Sequence, residues 1–308
     1  MAEAAIATIG FIGLGVMGEP ICANMARKRG ALGKAQGGER IIGFDLSPAP
    51  LERLAADGVV AMPGMAALAG EADLIILSLP GGREVEQVCL GEGGLIETAR
   101  PGTIIVDTST TPVDLTRSLH ATFAARDIVF VDAPVARTRQ AAREGKLSIM
   151  VGATPEVFER LRPYLEAAGS DVTRCGEIGC GQIVKILNNM ILFQNVVALA
   201  EAITIGGASG IDEAVLLETI AKGSGDSFAL RNHGMKAMLP RVFPEDAFST
   251  EYALKDNSYA LALAEAAGIE ARGAGLARTL LEESRDAGNG QAYFPALIRL
   301  IEARRNGG

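Results

Sequence analysis

The chain has 308 residues, 48% of them apolar, which is enough for two domains with their own cores and ordinary for a globular enzyme. Its net charge is −8 with no basic run, which argues against nucleic acid and against an anionic membrane surface as partners. No uninterrupted apolar stretch of about 18 residues occurs, so no membrane span is expected. The first strand begins too early for a signal or transit peptide, and the expected location is the cytoplasm.

In chain order, residues 5–11 form a short apolar run that reads as a buried strand. Gly13, Gly15 and Gly18 follow with the G-x-G-x-x-G spacing and open a helix over residues 17–29. In a strand–turn–helix setting each glycine has its own task. Gly13 allows the tight turn, Gly15 lets a pyrophosphate approach the backbone, and Gly18 permits close helix packing. The helix N-terminus then offers N–H groups and a positive dipole end to the anion. A second strand at 40–44 ends in Asp45, an acceptor for both ribose hydroxyls and repulsive to a 2′-phosphate, so the cofactor is read as NAD. Asp45 follows Gly18 by 27 residues, against roughly 20 in the usual pattern, and a Gly- and Lys-rich surface loop at 30–38 accounts for the excess.

Further strands are expected at 59–60, 74–79, 103–107, 128–131 and 148–152, with helical patterns between most of them. That alternation gives an α/β Rossmann-type domain with a mostly parallel, doubly wound sheet. The run at 74–79 ends in Ser78-Leu79-Pro80, and the run at 103–107 ends in Asp107-Thr108-Ser109-Thr110. Both ends fall where strand carboxyl termini meet a ligand crevice, although Pro, Gly, Ser and Thr also punctuate ordinary loops. After residue 181 no strand pattern persists. Residues 182–209 form one long apolar-periodic segment, about 42 Å at about 1.5 Å per residue, suited to a spine linking two domains. Helical patterns follow at 212–222, 228–238, 250–267, 273–287 and 293–303, so the second domain, 181–308, reads as all-α. Its apolar excess around 192–207 predicts a homodimer or homotetramer.

Cys22, Cys89, Cys175 and Cys180 have no metal-ligand spacing and read as reduced thiols. The only histidines are His120 and His233, which leaves zinc-dependent chemistry without ligands and weakens a His/Asp base scheme.

Several separated motifs occur together and in order: the glycine-rich turn, Asp107 to Thr110, Asp132-Ala133-Pro134-Val135, a Gly-rich joint before Lys185-x-x-Asn188-Asn189, and Leu254-Lys255-Asp256. With them the chain resembles the β-hydroxyacid dehydrogenase family from residue 5 to about 290. That family includes 3-hydroxyisobutyrate dehydrogenase, tartronate semialdehyde reductase and sulfolactaldehyde reductase, and is related to 6-phosphogluconate dehydrogenase. The resemblance implies reversible hydride transfer between a nicotinamide and the hydroxyl carbon of a small anionic β-hydroxy acid, in a cleft between the two domains. It implies Lys185 as the catalytic residue, with Ser109, Asn188 and Asn189 beside the substrate. Leu14, Val16 and Met17 would line the cofactor phosphates, and Leu79, Pro80, Thr110 and Lys255 would border the cofactor.

The residues support that chemistry independently. Lys185, Asn188 and Asn189 stand at i, i+3 and i+4 and project from one helix face. A lysine there can take the alcohol proton as a neutral amine, a form favoured by desolvation and by the positive nicotinamide ring. A lysine snorkelling from a helix end beside two solvated asparagines fits the residues equally well without the family pattern.

The sequence departs from the family at Ala136-Arg137-Thr138, where most members have Ser-Gly-Gly. This looks like the Arg-Thr variant of the sulfolactaldehyde reductase branch. Arg137, with Thr138 beside it, is expected to bind the substrate's carboxylate, sulfonate or phosphate. Leu192 stands where that branch has serine, which makes the pocket more apolar and admits a bulkier substrate such as a phenylserine. An imine reductase on the same fold is the alternative enzyme, although such enzymes usually lack the lysine. A nucleotide-binding scaffold without turnover is the non-enzymatic alternative.

Overall fold

The computed structural model describes residues 5–30, 38–245 and 247–306. The chain divides into two compact units, Met1–Lys185 and Ile186–Gly308.

The first unit holds nine strands in one sheet: β1 (Thr8–Ile12), β2 (Arg40–Phe44), β3 (Val60–Ala61), β4 (Leu74–Leu77), β5 (Ile104–Asp107), β6 (Val129–Asp132), β7 (Val135–Ala136), β8 (Leu147–Gly152) and β9 (Gly169–Gly176). Its helices are α1 (Gly18–Arg29), α2 (Pro48–Leu54), α3 (Met65–Glu71), α4 (Gly82–Leu90), α5 (Leu95–Thr98), α6 (Val113–Ala124), α7 (Arg139–Arg143) and α8 (Pro155–Leu165). Strands β3, β2, β1, β4, β5 and β6 pair in that order and all in parallel. β8 is antiparallel to β6 and β7 and parallel to β9. Asp132 opposes Gly152 and Val135 opposes Ile149, so β7 continues β6 along the same edge of β8 after a break at Ala133-Pro134.

Alternation along the parallel strands makes two cores. Ile9, Phe11, Ile76 and Val106 enter one, while Ile12, Ile75, Leu77 and Ile105 enter the other. A sheet covered on both faces needs such continuously apolar strands, which is why these runs were legible. β7 and β9 were not expected. β7 has two residues, and β9 reads Gly-Ser-Asp-Val-Thr-Arg-Cys-Gly on an edge, with no apolar alternation to mark it. Of the expected loop at 30–38, residues 31–37 lie outside the described residues; Gly30 and Glu39 at its ends form an isolated bridge.

Helix α9 (Cys180–Ala208) has 29 residues and carries the chain from the first unit into the second. It is long and apolar enough, by length and composition, to cross a membrane. Its Phe193, Val196, Ala200 and Ile203 are buried in the second unit's core, and Gln194, Asn195 and Glu201 interrupt its apolar sequence, which marks it as a core helix. That unit continues with α10 (Glu213–Ile220), a π-helix at Leu230–Met238, α11 (Thr250–Ala266), α12 (Arg272–Ser284) and α13 (Ile298–Asn306). The helices expected at 273–287 and 293–303 deviate at their ends. The first closes as a wide turn, Arg285–Asn289, with Gly288 at φ 90°. The second opens as a 3-10 turn, Phe294–Leu297, around Pro295. Among the described residues beyond 181, the only strand-like pairing is an isolated bridge between Ser249 and Tyr293.

Candidate cofactor and catalytic site

Gly13 leaves β1 at φ 88°, and a Cβ on it would overlap the Ser78 carbonyl. A Cβ on Gly18 would overlap the Gly13 carbonyl oxygen, so Gly18 packs the start of α1 onto the turn itself. Gly15 faces open space, with no atom within 4 Å of a Cβ built there. No side chain caps the N-terminus of α1. An uncapped helix start beside an open, Cβ-free backbone suits a pyrophosphate, so these residues fit a dinucleotide.

Asp45, at the end of β2, holds this turn. Its Oδ2 accepts the Leu14 N–H at 2.6 Å and its Oδ1 accepts the Ser47 N–H at 2.8 Å. Leu14 itself is fully buried in the core, so its part near a cofactor is limited to the backbone. Val16 is 56% exposed, whereas Met17 packs partly against the same core.

The strand ends beyond β4 and β5 are tied to each other. The Leu79 N–H donates to Ser109 Oγ at 2.9 Å, which makes Ser109, buried, a strut between the two loops. Asp107 accepts the Ser109 N–H at 2.9 Å and the Thr111 hydroxyl at 2.7 Å. Thr110 stays half-buried between them, and Pro80 is exposed.

The first turn of α9 is anchored on this framework. Asp132, at the end of β6, accepts the N–H groups of Gly179 and Gln182, each at 2.8 Å. Burial pushes its carboxyl up to about 6, against the pull of those two N–H donors. The Gln182 side chain accepts the Thr111 N–H at 3.1 Å and donates to the Ser109 carbonyl at 2.8 Å. One turn later comes Lys185, half-buried, then exposed Asn188 and buried Asn189. Asn188 donates to Asn189 Oδ1 at 3.1 Å, and Asn189 donates to Asp256 Oδ2 at 2.7 Å. Lys255 lies 3.0 Å from Asp256 Oδ1, and its ammonium sits over the rings of Tyr252 and Tyr259 at 5.1 and 5.4 Å. Leu192, expected as a pocket wall, packs against the second unit's core.

Arg137 and Thr138 have partners within the first unit. Arg137 adopts φ 89°, the left-handed conformation that glycine fills without strain. Its guanidinium donates to the Lys146 carbonyl at 2.7 Å and to Ser170 Oγ at 2.9 Å, and pairs with Asp171 at 2.8 Å. Thr138 caps α7 by accepting the Ala141 N–H. Among the described residues no cluster of His, Cys, Asp and Glu could hold a metal ion.

The roles of Asp107, Asp132 and Gln182 escaped the sequence. The signal for Gln182 was its place three residues before Lys185, on the same helix face.

A family model described as the NAD-binding domain of 6-phosphogluconate dehydrogenase matches residues 8–176. A second, described as the NAD-binding of NADP-dependent 3-hydroxyisobutyrate dehydrogenase, matches residues 179–301. The chain is 33% identical to 2-(hydroxymethyl)glutarate dehydrogenase of Eubacterium barkeri, over 96% of this chain and 94% of that protein. It is also 33% identical to 3-hydroxyisobutyrate dehydrogenase of Pseudomonas aeruginosa, over 96% and 99%. Among solved structures, Mycobacterium tuberculosis 3-hydroxyisobutyrate dehydrogenase with L-serine superposes with a TM-score of 0.80 at 28% identity, covering 96% of this chain and 99% of that one.

Proposed function

The chain belongs to the β-hydroxyacid dehydrogenase family of nicotinamide-dependent oxidoreductases, and from that premise we propose that it oxidises, reversibly, the hydroxyl carbon of a small anionic β-hydroxy acid. The observation that carries this reading is the α9 turn bearing Lys185, Asn188 and Asn189, rooted in the loop that holds Thr110.

When bound, the nicotinamide accepts or returns the hydride. Gly13, Gly15, Gly18 and the uncapped start of α1 hold the pyrophosphate, with Val16 and Met17 beside it. Leu79, Pro80, Thr110 and Lys255 border the cofactor. Asp45 accepts from the ribose hydroxyls with its remaining lone pairs and repels a 2′-phosphate, which favours NAD over NADP. Lys185 takes the proton from the substrate hydroxyl during oxidation and returns it during reduction. Asn188 and Asn189 hold the substrate for transfer, the latter fixed by Asp256. Arg137 meets the anionic end of the substrate by exchanging its ion pair with Asp171. Both partners of that pair are well exposed, at 39% and 54%, and such pairs contribute at most about 1 kcal/mol.

The relatives named above suggest 3-hydroxyisobutyrate, 2-(hydroxymethyl)glutarate and L-serine as first substrates. Phenylserine, glycerate, dihydroxypropanesulfonate and threonate extend the panel to larger and differently charged acids. The test is NAD⁺ reduction against that panel, followed by absorbance of the reduced cofactor. Lys185→Ala should lower turnover by about 10²–10⁴-fold. Turnover that survives the substitution would overturn the assignment of Lys185.

A second copy of the chain is proposed to cover the face of α9 on which Ile191, Ala198 and Ile205 recur every seven residues and are exposed, the two isoleucines at 56% and 65%. A reducing, cytoplasmic setting is supported by four cysteines that are all free thiols.

A further inference from the structure

Gln182 is fully buried, and a buried amide is costly unless its donor and acceptor are both satisfied. Both are satisfied here by one short stretch of backbone. Oε1 takes the N–H of Thr111, and Nε2 gives to the carbonyl of Ser109. These two groups flank Thr110, so the amide grips the chain on either side of that residue. The backbone N–H of Gln182 is held by Asp132, which fixes where the side chain starts. Ser109 is also tied to Leu79, so the grip extends to the end of β4. Lys185 follows on the same helix face, about 4.5 Å along the axis at about 1.5 Å per residue.

We propose that Gln182 is a positioning residue, setting the register between the turn that carries Lys185 and the loop that carries Thr110. This rests on the reading of Lys185 as the proton-transfer group. Both hydrogen bonds are buried, so losing the amide leaves the Thr111 N–H and the Ser109 carbonyl to find other partners away from water. Misplacement of a reacting group by about 1 Å costs on the order of 10²-fold in rate, which sets the scale of the effect.

The test compares Gln182→Met, which keeps length and volume but loses both hydrogen bonds, with Gln182→Glu, which keeps the acceptor and loses the donor. The first readout needs no substrate: amide hydrogen exchange of the peptide spanning residues 107–112. It should accelerate at least tenfold in Gln182→Met, while peptides from β1 and α1 exchange as in the parent protein. The second readout is kinetic, with L-serine and 3-hydroxyisobutyrate as probes. Gln182→Met should lose about 10- to 100-fold in kcat, more than any accompanying change in the NAD dissociation constant, and Gln182→Glu should fall between it and the parent.

The cycle with Lys185→Met separates the two readings. If Gln182 acts through register, its replacement costs little further on the Lys185→Met background. A full additional loss there would overturn the positioning role, even with Lys185 confirmed. Unchanged exchange at 107–112, or a loss of kcat no larger than the loss of NAD affinity and explained by a lower thermal stability, would overturn it as well. A Lys185→Met enzyme with intact turnover removes Lys185 from the chemistry, and with it the register that Gln182 is proposed to set. Accelerated exchange at 107–112 would then still report the grip as a purely structural one.

Discussion

Asp132 is the residue whose chemistry and position are most at odds. It is fully buried, yet it must serve as the acceptor for Gly179 and Gln182. Its carboxyl, at about 6 against an ordinary 3.8, binds its proton more tightly in the folded chain than in the unfolded one. The stability it contributes is therefore whole below about pH 4 and is lost as the pH rises through about 6. A gap of about 2 pH units corresponds to about 3 kcal/mol. Urea unfolding of the parent and of Asp132→Asn at a series of pH values should show the parent losing about that much relative to the variant between pH 4 and 7. A constant difference across the series would remove the titration from this site. Residue types pointed to chemistry where it announces itself, as with the expectations placed on Lys185 and the paired asparagines. They were a poor guide where a side chain serves the backbone. An Asp after a strand and a Gln in a helix have no pattern that separates strut from surface, and Arg137 carries no sign in the sequence that Asp171, brought alongside by an unrecognised strand, will take its charge.

At the level of elements, the glycine-rich turn separates folding from binding, position by position. Gly18→Ala forces a Cβ into the Gly13 carbonyl. It should destabilise the protein by about 1–3 kcal/mol, seen as a lower thermal midpoint. Gly15→Ala meets no atom. It should leave the midpoint unchanged and weaken NAD binding at least tenfold, measured by titration of protein fluorescence or by calorimetry. A Gly15→Ala protein with parent affinity would mean the pyrophosphate does not cross this backbone. β1, β4 and β5 were legible because sheets buried on two faces demand apolar runs, whereas β9 was hidden by its polar edge position. In the second unit the helices were legible by period but not their irregular ends, where Gly288 and Pro295 change the hydrogen-bond ladder locally.

For the whole molecule, α9 leaves Ile191, Ala198 and Ile205 exposed along one face, and exposed apolar residues that lie together mark interaction surfaces. Sedimentation at micromolar concentration should give a dimer or larger, and Ile191→Glu should shift it toward monomer. A parent protein that sediments as a monomer would rule out the second copy. The all-α half was legible as such because one long apolar period cannot be a strand, but the sequence alone does not say which of its faces is covered.

The double grip of Asp45 on Leu14 and Ser47 bears on how such an enzyme can diverge. The carboxylate proposed to discriminate between cofactors is also a brace of the turn after β1. Asparagine retains one acceptor oxygen and loses the other, so a single step away from aspartate loosens the turn before any affinity for a 2′-phosphate has been gained. A change toward the phosphorylated cofactor would therefore have to replace the brace as well as the charge. Asp45→Asn should accordingly bind both dinucleotides poorly rather than exchange one for the other.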